Sequence, residues 1–225
     1  MNSAERLLLD RAAACYEQAG EPLAAARLRE RTGTLLGAAR LYERCGEWAE
    51  AAACYRRAGR TGDAVRCHLL LGQVREAARC AEQAGDSLTA AWLLASAGGM
   101  AQPARWTLAG ASVATAEERL RRDLVAGLCD ALDSAAADAL AATVAELCRD
   151  LGGFAPAERG RLVRWAVGAA DAVGRRDLSA LVHAAAHRAG IAHAADRWRE
   201  WARQALGGTA WIPRDASDGT EGGEA

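Results

Sequence analysis

The chain has 225 residues, a formal net charge of −1 and an apolar share of 51%, with only 5% aromatic residues. All 28 basic residues are arginine, and neither half has the basic excess of a general nucleic-acid-binding protein. No stretch approaches the roughly 18 consecutive apolar residues of a membrane-spanning helix. Residues 1–10 also lack the basic and apolar regions of a signal peptide. We therefore expect a cytoplasmic protein that has neither nucleic acid nor a membrane as a partner.

Alanine dominates the apolar share and the four prolines are thinly spread. Because alanine is the best helix former, this composition predicts an all-α protein. We expect an α-solenoid of short helical hairpins over residues 1–110 and a C-terminal helical region over 111–206. The second region is predicted to be either a helical bundle that caps the solenoid or more solenoid with degraded repeats. The polar, glycine-rich tail at 207–225 is expected to be disordered.

A 13-residue repeat organises the first half of the chain. Glycine recurs at this interval at Gly20, Gly33, Gly46, Gly59, Gly72, Gly85 and Gly98. Each unit predicts one helix of about nine residues, which ends at its glycine because glycine adopts a positive φ at little cost. Glu50, Asp63 and Glu76 are expected near the start of the next helix, where they complement its positive end.

The side chains within each unit predict which face of its helix is buried. Units numbered from Arg11, Ala24, Gly37, Glu50, Asp63, Glu76, Thr89 and Gln102 have mostly apolar or small residues at positions 2, 5, 6 and 9. This spacing is the stripe of an amphipathic helix, and stacking on neighbouring helices would bury it. Position 12 holds Trp48, Val74 and Met100 in alternate units, which favours a 26-residue hairpin as the structural unit.

The stretch Gly46-Glu-Trp-Ala-Glu-Ala-Ala-Ala-Cys-Tyr-Arg-Arg-Ala58 resembles a helix of a tetratricopeptide (TPR) repeat. That family repeats about every 34 residues, so this chain is similar to a TPR-like solenoid with shortened units of 13 or 26 residues. Similar arrays occur in scaffold subunits and in bacterial repeat proteins linked to ATPase-based multicomponent systems. The resemblance implies a non-catalytic scaffold or adaptor that binds a peptide or partner domain, as a subunit of a larger assembly.

Arginines on the array are the predicted contacts for such a partner. The candidate partner-binding residues are Arg40, Arg56, Arg57, Arg60, Arg66 and Arg79. We expect the face that carries them to be mainly solvated, with Glu30, Glu43 and Glu82 paired with the arginine three residues earlier in the same helix. The alternative is a groove that grips carboxylates or phosphates, whose most basic part would be Arg56, Arg57, Arg60 and Arg66, because the sequence places only Asp63 close to them.

Further helices are predicted in the second half from their capping residues. Thr115 and Glu118 form a capping box that opens a helix to about Leu132, Ser134 caps the next to Gly152, and Pro156 lies in the first turn of a third that runs to about Gly174. Two more helices are expected at Asp177–Ala189 and Ala192–Leu206. The second contains Trp198 and Trp201, three residues apart and therefore expected to pack on one face.

Chemical sites are sparse in this sequence. His183 and His187 lie one helical turn apart, so a metal-binding or regulatory role for this pair is the alternative function, although Ala184 stands where a metalloprotease has its glutamate. The seven cysteines include no Cys-x-x-Cys pair, and Cys54, Cys67 and Cys80 are expected to be small buried apolar residues. Neither a phosphate-binding loop nor a Gly-x-Ser-x-Gly elbow is present. We expect no catalytic activity, cofactor or metal.

Overall fold

The computed structural model describes residues 2–134 and 137–207, which form thirteen α-helices and one 3-10 turn and contain no strand. Successive helices pack against each other from residue 3 to residue 83 and again from residue 101 to residue 206, which confirms the all-α, solenoid-like fold. The helices are α1 (Ser3–Gln18), α2 (Pro22–Arg31), α3 (Leu35–Arg44), α4 (Trp48–Arg57), α5 (Thr61–Leu70), α6 (Val74–Gln83), α7 (Ser87–Ser96), α8 (Ala101–Ala109), α9 (Ala116–Ser134), α10 (Asp138–Asp150), α11 (Pro156–Ala172), α12 (Arg176–Arg188) and α13 (Ala194–Leu206). The 3-10 turn, Leu151–Gly153, follows α10.

The six helices α2 to α7 begin 13 residues apart and are each 10 residues long, which confirms the predicted register. Helix α3 shows how each unit ends: Gly46 has a φ of +78° and its N–H donates to the carbonyl oxygen of Glu43 at 3.0 Å. The N–H of Glu47 donates to the carbonyl oxygen of Tyr42 at 2.9 Å, which completes a Schellman motif. The same positive φ occurs at Gly20, Gly33, Gly59, Gly72 and Gly85.

The last glycine of the register behaves differently from the others. Gly99 has the positive φ, of 60°, in place of the in-register Gly98. The reason is that α8 begins at Ala101, one residue later than a 13-residue step from α7 requires. The prediction for Gly98 is therefore wrong by one position.

Columns of alanine form the core of the array. Six alanines that share position 2 are fully buried: Ala25, Ala38, Ala51, Ala64, Ala77 and Ala90. Cys54, Cys67 and Cys80 are also buried, as predicted, and all seven cysteines are free thiols. Burial raises the pKa of Cys54 and Cys67 to about 11 and also raises the pKa of Cys80, so these thiols stay protonated and act as apolar packing groups.

Contacts divide the chain into two compact units after Leu94, within α7. We refer to them as the N-terminal unit and the C-terminal unit. The sequence predicts a boundary at residue 110, because the 13-residue pattern of residues extends through α8. The division by contacts falls earlier than the end of this pattern. The predicted tail, 207–225, lies outside the described residues except for Gly207. Among the residues that are described, no helix has the length and apolar character needed to cross a membrane.

The capping box predicted for α9 is confirmed. The N–H of Glu118 donates to Thr115 Oγ1 at 3.1 Å, and Glu118 Oε2 accepts from the N–H of Thr115 at 2.9 Å. Leu120, Leu124 and Leu128 are buried along the predicted seam of this helix. Since the first and last of these lie eight residues apart, the seam follows one face of α9 for two turns.

Ser134 does not cap α10, contrary to the sequence prediction. It is the last residue of α9, and its hydroxyl donates to the carbonyl oxygen of Asp130, one turn earlier, at 2.7 Å. Helix α10 begins at Asp138, so Ser134 belongs to α9 and not, as the sequence predicts, to the start of α10. Trp198 and Trp201 are both buried in the C-terminal unit, which confirms that they pack in its core.

Candidate functional site

A ladder of carboxylates joins neighbouring helices of the array. Glu17, Glu30 and Glu43 all stand at position 7 of their units. Each accepts a hydrogen bond from position 6 of the next unit: Arg29 Nε donates to Glu17 at 2.6 Å, Tyr42 to Glu30 at 3.0 Å and Tyr55 to Glu43 at 2.8 Å. The donor and acceptor in each pair are 12 residues apart, so the same bond is repeated along the stack.

Arginines from the second-next helix complete two rungs of this ladder. Arg57 of α4 pairs with Glu30 of α2 at 2.6 Å, and Arg66 of α5 pairs with Glu43 of α3. The thiol of Cys67 also donates to Glu43, at 3.5 Å. Both glutamates thus connect three helices, which ties alternate helices together as well as adjacent ones.

The ladder changes the proton affinity of its members. Burial, together with the hydrogen bond to a glutamate, raises the pKa of Tyr42 and of Tyr55 to about 12. Burial on its own would raise the pKa of Glu43, but the hydrogen bonds from Tyr55 and Arg66 outweigh it and lower that pKa. The phenols therefore stay protonated as donors while Glu43 stays ionised as the acceptor.

The predicted pairing within single helices is wrong for Glu30 and Glu43. Both carboxylates turn to neighbouring helices, where a tyrosine and an arginine meet them together. The expectation that Arg57 and Arg66 lack close acids except Asp63 is wrong for the same reason, because the partners lie 27 and 23 residues away in the chain. These two arginines already serve the fold of the array.

The other predicted arginines differ in how far they are paired. Arg60 contacts Asp63 at 3.1 Å, and Arg79 approaches Glu76 at 3.9 Å. Within the part of the chain that the structure describes, Arg40 and Arg56 form no ion pair and their side chains are exposed. Of the predicted set, these two have guanidinium groups that the fold leaves available.

The ladder ends at Arg56, where an arginine stands at the position that holds a glutamate in the three preceding units. A shift of 26 residues, two units of the repeat, carries Glu30 onto Arg56 and Arg57 onto Gln83. Thus α4 and α6 present an arginine and a glutamine where α2 and α4 form an ion pair. No hydrogen bond joins Arg56 to Gln83 among the described residues.

A cavity of about 340 Å³ lies at this open rung. Arg56 and Gln83 both line it, together with Gly59, Thr61, Ala64, Cys80 and Ala84. The lining of this solvent-open space thus includes one residue with a guanidinium, one with a hydroxyl and one with a side-chain amide. This donor set suits a carboxylate, because arginine forms charge-assisted hydrogen bonds and the neutral groups add further donors. We call this space the Arg56 cavity.

The two predicted histidines lie in different environments on α12. His183 is buried and its ring contacts those of Trp198 and Trp201, whereas His187 is exposed. Across residues 2–134 and 137–207, no group of three or more His, Cys, Asp or Glu side chains is placed to hold a metal ion. The metal-binding role of His183 and His187 therefore stays a prediction, without a third ligand side chain beside them in the described residues.

Sequence reasoning named Arg56 but missed that this residue interrupts the ladder of carboxylates. The signal was present as the column of Glu17, Glu30, Glu43 and Arg56, in which the sign of the charge reverses once.

Comparison with protein-family models, with curated proteins and with solved structures finds no match to this chain. The fold therefore defines the class, an all-α protein of short helical repeats.

Proposed function

We propose that this protein is a non-catalytic scaffold, similar to a TPR protein, whose array binds a carboxylate of a protein partner in the Arg56 cavity. The carboxylate is that of an Asp or Glu side chain or of a chain terminus. One observation carries the proposal: Arg56 and Gln83 replace the ion pair that Glu30 and Arg57 form two units earlier, and a cavity lies between them. A partner's carboxylate would supply the missing acid of the ladder.

Three further features support a role in binding. Short stacked helices create extended surfaces on which partners bind without any catalytic group. Glu30 and Glu43 tie α4 and α5, the helices that carry Arg56 and Thr61, to their neighbours, so the backbone beneath these donors is already ordered before binding. The seven free thiols fit a reducing compartment, and we place the scaffold in the bacterial cytoplasm as a subunit of a multicomponent assembly.

A peptide library tests the proposal without knowledge of the partner. We would pan phage-displayed random peptides and a library of free C-terminal peptides on the wild-type protein, then measure the selected peptides by fluorescence anisotropy. The proposal predicts enrichment of Asp, Glu or a free C-terminal carboxylate. Arg56→Gln should weaken binding by at least about tenfold, because it removes a charge-assisted hydrogen bond.

A matched arginine provides the control for this experiment. Arg44 is exposed near the end of α3 and does not line the Arg56 cavity, so Arg44→Gln should bind selected peptides like the wild type. Arg56→Glu should reverse the preference toward basic peptides while the circular dichroism spectrum stays helical. Selection of neutral peptides, or equal affinity in wild type and Arg56→Gln, would overturn the proposal.

Elemental analysis of the purified protein separates the scaffold from the alternative based on His183 and His187. A scaffold needs no metal and should bind the selected peptides equally well after dialysis against a chelator. Stoichiometric zinc that is lost in His187→Ala would favour the metal-binding role instead.

A further inference from the structure

A second cavity, in the C-terminal unit, has different chemistry from the Arg56 cavity. Its volume is about 340 Å³ and it is lined by residues of α11, α12 and α13. Val163 and Val167 supply apolar side chains, Gly160 leaves space, and Arg164, Arg197 and His183 supply the polar groups. The volume is near the lower end of the roughly 300–1,000 Å³ of small-molecule sites, so its occupant would be small.

His183 is the buried polar residue of this cavity. Its residue exposure is 5%, and its Nε2 atom has no hydrogen-bond partner. The neighbouring polar groups are satisfied: Asp171 accepts from the indole nitrogen of Trp201 at 3.1 Å and from the hydroxyl of Ser179 at 2.6 Å. A buried polar atom without a partner costs about 1–3 kcal/mol. A ligand group that reaches Nε2 would recover part of that cost.

The arginines give the cavity its charge. Arg164 and Arg197 are both exposed, and neither has an ion pair with an acidic side chain in the described ranges. Burial favours the neutral form of His183 by lowering its pKa, so the imidazole adds little positive charge of its own. The cavity thus combines apolar walls, a neutral buried imidazole and two unpaired guanidinium groups.

We propose that this cavity binds a small organic carboxylate with an apolar body. The carboxylate pairs with Arg164 and Arg197, which are the solvent-exposed cations of the cavity. The apolar body lies against Val163 and Val167 and is thereby removed from water. A cation would be repelled by both arginines, and an uncharged apolar molecule would leave them without a partner. This site belongs to the C-terminal unit and does not depend on the function proposed for the array.

Calorimetric titration of the full chain tests this inference. The probes are octanoate and 3-phenylpropanoate, each compared with its primary amide, which keeps the apolar body and removes the charge. The carboxylates should bind at least about tenfold more tightly than the amides. The double variant Arg164→Gln with Arg197→Gln should reduce the carboxylate affinity to that of the amide. Arg203 lies in α13, like Arg197, but is paired with Glu200, so the control variant Arg203→Gln should leave the carboxylate affinity unchanged.

A variant that fills the cavity shows whether binding occurs there. A Cβ atom at Gly160 would lie 3.6 Å from Arg164 Nη1, an ordinary contact, so Gly160→Leu should fold and occupy the space. It should abolish binding of both acids. Equal affinity for acid and amide, no measurable binding of either acid at millimolar concentration, or undiminished binding to folded Gly160→Leu would each overturn the inference.

Discussion

The hydroxyl of Tyr55 donates a hydrogen bond to Glu43 Oε2 across 2.8 Å, and Tyr42 makes the same bond to Glu30 one unit earlier. The bond joins consecutive helices, each of which is only 10 residues long. Helices of that length are marginal in water when isolated. The repeated bond therefore adds specific pairing to the alanine packing that holds the array together.

Removing the hydroxyl of Tyr55 tests the energetic role of this bond. Tyr55→Phe leaves a mostly buried Glu43 with one donor fewer and should lower the free energy of unfolding by about 1–2 kcal/mol. Urea denaturation followed by circular dichroism measures the change. Tyr16→Phe is the matched control, because Tyr16 is exposed at the same position of the first unit and should give no change. Equal stability of the two variants would show that the hydrogen bond from Tyr55 to Glu43 contributes nothing to stability.

The alanine columns give a second prediction. Ala52 is 1% exposed in α4, and a long charged side chain there has neither space nor a partner. Ala52→Arg should unfold the array or lower its free energy of unfolding by more than about 3 kcal/mol. Ala49 lies in the same helix and is exposed, so Ala49→Arg should stay within about 0.5 kcal/mol of the wild type. Similar thermal midpoints for the two variants would contradict the packing described here.

Two helical glycines in the C-terminal unit should respond in opposite directions to the same substitution. A Cβ atom at Gly127 would lie 2.9 Å from the backbone of Leu140 in α10, so Gly127→Ala should cost about 1–3 kcal/mol. Gly160 has space for a Cβ atom, so Gly160→Ala should raise stability by up to about 1 kcal/mol through helix propensity. Chemical denaturation of both variants checks the pair, and a stabilising Gly127→Ala would contradict the close approach of α9 and α10.

The buried imidazole predicts how stability depends on pH. Burial lowers the pKa of His183 in the folded protein, Arg197 acts in the same direction and Asp171 opposes them. The unfolded chain, with a histidine pKa of about 6.5, binds a proton first as the pH falls. The contribution of His183 to stability is therefore complete above about pH 6.5 and is lost as the pH falls through the lowered pKa of the folded protein.

Two variants isolate this contribution. His183→Leu should flatten the fall in unfolding free energy between about pH 7 and pH 5, by at most about 1.4 kcal/mol per pH unit. His187→Leu, on the exposed side of the same helix, should keep the wild-type dependence. Urea denaturation across this range measures both, and identical slopes for wild type and His183→Leu would contradict the neutral, buried state of the imidazole.

Much of the fold could be predicted from the sequence because its determinants are local. A glycine that ends each helix and an alanine that packs it recur at fixed steps, and a chain fragment around Gly46 contains both signals. The capping box at Thr115 is equally local. Two local signals competed at Ser134, and its hydroxyl bonds back to the carbonyl oxygen of Asp130, so the residue extends α9 instead of starting α10.

The site was harder to predict because its contacts are not local. Arg57 reaches Glu30 across 27 residues, and no rule for pairs within one helix reveals that partner. The structure shows that Glu30 and Arg57 are paired. Only a comparison of this pair with Arg56 and Gln83, which stand at the equivalent positions two units later, shows that Arg56 lacks such a partner. Likewise, the four-residue separation of His183 and His187 on α12 does not show that His183 is buried and His187 exposed.

The most direct test of the central claim is to close the open rung of the ladder. The double variant Arg56→Glu with Gln83→Arg copies the Glu30–Arg57 pair at the equivalent positions two units later. Peptides selected on the wild type would be titrated into this variant by fluorescence anisotropy, with its thermal midpoint recorded alongside. We predict a preserved or higher midpoint and the loss of peptide binding. A folded double variant that binds acidic peptides as tightly as the wild type would contradict the account.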